Sequence, residues 1–165
     1  MKYSRGFSLI EVIIVIAIIG IMTSVVFVSL SGRRVETQLQ AASREVAAAI
    51  RSAQNNALSG VKGEMPEGMS LCQYTVSSNS DVAYGVSVRY APSPDRCSSG
   101  SSISLGDLSV KDGVVFGSAW SVQFGVPHGT VLPGSASVIM LRKGDFSRNV
   151  CMSPSGVVSE GTSCP

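Results

Sequence analysis

The sequence predicts an α+β protein. A long N-terminal helix, membrane-spanning in its first half and amphipathic in its second, packs against an antiparallel β-sheet head. Three observations predict it. An apolar run extends from Leu9 to Leu30, broken only by Glu11 and a few small or hydroxyl residues. A stepped apolar stripe follows, with no proline before Pro66. After Gly60 the chain turns into short β-branched runs separated by Gly, Pro and Ser clusters.

The first element is the apolar run. Phe7 to Leu30 is about 24 residues, roughly 36 Å of helix, enough to span a bilayer. A secretory signal peptide has an apolar core of about 7–15 residues and a small-x-small cleavage site. This run is longer, and Val26-Phe27-Val28 is no such site. Glu11 is out of keeping with a mere anchor. A carboxylate near the bilayer centre costs roughly 2.5–3.5 kcal/mol on insertion scales, and less towards an end.

The second element continues the first. Val35, Leu39, Ala42, Val46, Ile50, Ala53 and Ala57 step by three or four, the spacing of one helical face. Arg34, Glu36, Gln38, Arg44, Glu45 and Arg51 fall mostly off it. One helix from about Phe7 to Leu58, roughly 78 Å long, accounts for both stretches. Ser59-Gly60 is its expected stop, with glycine able to take the left-handed C-terminal turn.

The remaining elements are strands. Leu71–Val76, Ala83–Tyr90, Val114–Phe116, Trp120–Phe124, Ser137–Leu141 and Asn149–Met152 read as strands between turn clusters. Lys62 to Gly68 reads as a loop, and Ser98 to Ser102 as a mobile low-complexity loop. The expected division is 1–6 leader, 7–30 transmembrane or filament-core helix, 31–58 amphipathic continuation and 59–165 β-rich head.

Charge and cysteines narrow the function. The chain has 165 residues and a net charge of +2. Residues 59–165 carry seven Lys/Arg against eight Asp/Glu, a balance of −1, which argues against a basic nucleic-acid module. Arg142, Lys143 and Arg148 are the only candidates there for weak DNA contact. All four cysteines follow the apolar run and none forms a C-x-x-C pair, which speaks for two disulfides in an oxidising compartment and against a zinc site. Four cysteines allow three connectivities. Pairing neighbours, Cys72 with Cys97 and Cys151 with Cys164, closes two short loops and pins the C-terminus. The sole histidine, His128, lies in a Pro-His-Gly turn, and no serine sits in G-x-S-x-G. No catalytic site, cofactor or metal is expected, and Trp120 reads as core.

Gly6-Phe7-Ser8-Leu9-Ile10-Glu11 and the span behind it resemble the class III signal of type IV pilins and type II secretion pseudopilins. Gly20 also sits where many pilins have glycine. Gln40 through Ala57, Val122–Gly129, Val138–Leu141 and Ser155–Val158 are similar to the GspH/FimT-like minor pilins. The resemblance implies a pilin-like fold and cleavage between Gly6 and Phe7 by a prepilin peptidase. It further implies N-methylation of Phe7 and an assembly role for Glu11. It makes the chain a structural subunit of a type IV pilus or type II secretion pseudopilus that helps to initiate or cap the filament. Partners are then other pilin or pseudopilin subunits, the peptidase, and an inner-membrane assembly platform. The chain would reside first as a single-pass inner-membrane protein, head outside, and later in the filament. The alternative is a membrane-anchored DNA-uptake pilin. Some relatives bind DNA through basic residues near the C-terminus, whereas Val157-Val158-Ser159-Glu160 contains none.

Overall fold

The computed structural model describes residues 8–60 and 67–164, leaving aside the side chains of 24–32, 94 and 95. One helix, α1, runs Leu9–Ser59. It is followed by nine strands: β1 (Ser70–Ser78), β2 (Ala83–Ala91), β3 (Ser101–Ser109), β4 (Val115–Phe116), β5 (Trp120–Gly125), β6 (Thr130–Val131), β7 (Val138–Lys143), β8 (Phe146–Met152) and β9 (Val158–Gly161). The chain divides into two compact units, Met1–Thr37 and Gln38–Pro165. The described part of the first is helix alone. The second holds the end of α1 and every strand.

In the second unit the predicted stripe is the buried face. Leu39, Ala42, Val46, Ile50, Ala53 and Ala57 are buried, joined by Ser43 and Ala47, while Val35, in the first unit, is half-exposed. Small residues dominate that face. Ser43 fits because its hydroxyl donates to the Gln40 carbonyl at 3.0 Å. Gly60 takes φ 61° and ends the helix.

The head is two antiparallel sheets rather than one. The larger has the order β3-β2-β1-β5-β6, the smaller β4-β7-β8-β9. Alternation decides what each buries. In β5, Trp120, Val122 and Phe124 are buried, with Ser121 and Gln123 on the opposite face. Their register partners follow suit: Phe124 opposes Tyr74 and Val122 opposes Val76, both buried. The outer face of the larger sheet is polar, with Thr75, Ser77, Ser87, Ser104 and Gln123. In the smaller sheet Ile139, Leu141, Val150 and Met152 turn inward. Trp120, a core residue, packs edge-on against Phe116 at 5.4 Å between centroids.

The expectation of a loop at residues 98–102 is corrected. A 3-10 turn covers Pro94–Ser99, and β3 starts at Ser101. Serine and glycine have low strand preference, so this strand is specified by its partner. Eight residue pairs tie it to β2. β6 and β9, of two and four residues, are equally invisible to a pattern that needs several alternations.

Candidate assembly site

α1 begins with a surface unusual for a soluble helix. Leu9, Ile10, Val12 through Ile16, Ile18, Ile19, Ile21 and Met22 are all exposed, from 46% to 77%. They lie all round the helix, and such a helix belongs in lipid or in a bundle of like helices. Glu11 lies in its first turn, exposed among them, with its backbone N–H donating to the Ser8 carbonyl at 3.0 Å. It is the only charged residue from Leu9 to Thr23. Gly6 and Phe7 lie outside the described residues. Among the described residues, no helix is long and apolar enough to cross a membrane. The stretch with described side chains, Leu9 to Thr23, is fifteen residues long, short of the ~20 that a span requires.

In the head, the basic residues do not converge. Leu141 opposes Arg148 and Arg142 opposes Ser147, so Arg148 shares the inward face of Leu141 while Arg142 points outward. Lys143 is also inward. Its ammonium donates to Gln38 Oε1 on α1 at 2.7 Å and to the Asp112 carbonyl. Two of the three candidate phosphate contacts thus serve the head's own packing. Sequence alone hid this, because Arg142-Lys143 reads as one cluster although adjacent strand residues face opposite ways.

Arg51 was expected off the packed stripe, and yet it ties α1 to the smaller sheet. Its guanidinium donates to the Val158 carbonyl at 2.9 Å and lies 3.5 Å from Glu160. Two turns close on the same part of α1. Gly129 has φ 60°, and a β-carbon there would lie 2.5 Å from Leu58. Gly156 has φ 86°, and a β-carbon there would overlap the Gln54 amide. The glycines of Pro-His-Gly and Ser-Gly-Val are therefore places where the chain must both turn left-handed and touch the helix.

The disulfides join Cys72 to Cys97 and Cys151 to Cys164, leaving no free cysteine. The first ties β1 to the 3-10 turn that leads into β3; the second holds the C-terminal segment to β8. His128 is exposed in the turn between β5 and β6, beside a cleft of about 510 Å³ that Gln73, Arg89, Gln123 and the Cys72–Cys97 pair also line. Gln73 is buried there, its amide donating to Thr75 and Gln123.

Residues 1–27 match the family model of the prokaryotic N-terminal methylation motif. No curated protein and no solved structure matches the chain. The motif supports a type IV pilin-type subunit, a structural rather than enzymatic class whose members are processed by prepilin peptidase and assemble with other pilin subunits.

Proposed function

We propose that the protein is a minor pilin or pseudopilin, anchored in the inner membrane by the 7–30 segment and then built into a filament through α1, where it helps to initiate or cap assembly. One observation carries this reading. Residues 1–27 match the methylation motif, and within them Glu11 is the fifth residue counted from Phe7, in the first turn of a helix whose opening turns are apolar all round.

Cleavage after Gly6 gives Phe7 a new cationic amino group, still cationic once methylated. It lies about four residues, roughly 6 Å, from Glu11 along the helix. An unpaired carboxylate is costly in low dielectric, and a cation beside it removes that cost. When the cation belongs to the neighbouring subunit, the pair sets helix-to-helix register, because a one-turn slip of about 5 Å leaves both charges unmatched. The pair thus contributes specificity more than stability.

Two variants test the proposal. Glu11→Val is expected to insert and be cleaved like wild type yet be depleted from filaments at least several-fold. Wild-type assembly of Glu11→Val contradicts the pairing role. Gly6→Leu should leave the precursor uncut, because a bulky side chain keeps the scissile backbone from close approach. Normal cleavage of Gly6→Leu, read by intact mass, contradicts the processing role.

A further inference from the structure

The head's sheet edges are unequal. β4, β6 and β9 are edges of two, two and four residues, but β3 is an edge of nine, as long as β1 and β2. Natural sheets blunt their edges with short strands, lysines, prolines or bulges, and of these β3 has only a bulge, at Leu105. β3 has no Lys, Arg or Pro and one charge, Asp107. All nine of its residues are exposed, Ile103, Leu105 and Leu108 between 38% and 48%. Its outer edge has no partner strand among the described residues.

Register with β2 shows which way these side chains face. Ile103 opposes Val88 and Leu108 opposes Tyr84, both buried. Ile103 and Leu108 therefore share the core-side face, although five residues apart, because a bulge absorbs Leu105. Ser104 and Asp107 oppose Ser87 and Gly85 and share the other face.

We propose that β3 is a docking edge for a second copy of this chain, by antiparallel β3–β3 pairing about a two-fold axis between Leu105 and Gly106. The sequence is self-complementary in that register. Ile103 meets Leu108 of the second copy, and Leu108 meets its Ile103, on the core-side face. Ser104 meets Asp107 on the other, so each carboxylate faces a hydroxyl donor and never the other carboxylate. Ser102 meets Ser109. Moving the axis onto Leu105 sets Ile103 against Asp107; moving it onto Gly106 sets Ile103 against Ser109. Cross-strand apolar pairs and matched polar pairs favour the first register. One strand pair buries less than the roughly 1,600 Å² of a standard stable interface, so the pairing is reversible and depends on local concentration. It uses no residue of α1, and its failure leaves the filament reading untouched.

The test uses the full chain in its membrane, with a photo-crosslinking amino acid at Ser102. The expected product is a dimer whose adduct maps by mass spectrometry to Ser109 and its immediate neighbours in the second copy. Ser104→Asp, which sets carboxylate against carboxylate twice, should lower the dimer yield several-fold. Ser104→Lys, which sets an ammonium against Asp107, should keep or raise it. Ser104 is exposed, so neither change threatens folding. Absence of the dimer, adducts that map to α1 or to another protein, or an equal effect of the two substitutions would overturn the proposal.

Discussion

Gly129 and Gly156 carry the clearest single-residue constraints in the head. Both take positive φ and both press on α1, at Leu58 and Gln54. Gly129→Ala is expected to destabilise the protein by about 1–3 kcal/mol, as the backbone is strained and the Leu58 side chain must move. Thermal unfolding followed by circular dichroism checks it, and an unchanged midpoint would contradict the contact. Tyr84 sets a second constraint. Burial, assisted by the Glu45 charge, pushes its phenol up to about 12 from the ordinary 10. The native state thus favours the neutral phenol. Its contribution is fully present below pH 10 and is lost as pH rises towards 12. Burial raises the Tyr74 phenol as well, so tyrosinate absorbance should show ionisation delayed until unfolding, and Tyr84→Phe should remove part of that delayed signal and lessen the alkaline loss of stability. The sequence offered Trp120 as core and His128 as a turn residue, and for Tyr84 only its place in a strand. An alternating strand shows which faces differ, not which neighbours a hydroxyl will meet.

At the level of elements, α1 was the most legible. Its stripe is a 3.6-residue period over many turns, and the buried positions from Leu39 to Ala57 are that stripe plus Ser43 and Ala47 beside it. Ile50, fully buried in the middle of that stripe, is expected to cost about 2–5 kcal/mol as Ile50→Ala. Denaturant unfolding monitored at Trp120 measures this, and a cost under about 1 kcal/mol would mean that the stripe does not carry the packing. Strands with three or more alternations were legible too. β3 was not, because SSISLGDLS owes its conformation to its pairing with β2. The disulfides close loops across 25 and 13 residues. Each contributes on the order of 3 kcal/mol in the chain-entropy model. Non-reducing peptide mapping should find these two linkages; a Cys72–Cys151 peptide would contradict them.

For the whole molecule, charge separates an assembly subunit from a DNA-uptake protein. Only Arg142 of the three clustered cations points outward, and the head's balance is −1. Phosphate neutralisation supplies most non-specific DNA affinity. The full chain in detergent should therefore bind duplex DNA no tighter than about 10⁻⁴ M at physiological salt, the weak end of non-specific binding, in a fluorescence-anisotropy titration. Micromolar, salt-sensitive binding would favour the uptake reading. The sequence had shown the cluster but not its division between two faces, which depends on strand register. Whether the chain enters filaments is read from shear-released surface material. This fraction should contain the protein, with an intact mass corresponding to a chain that begins at methylated Phe7 and retains both disulfides. A chain found only in the membrane fraction, with Met1 still attached, would contradict it.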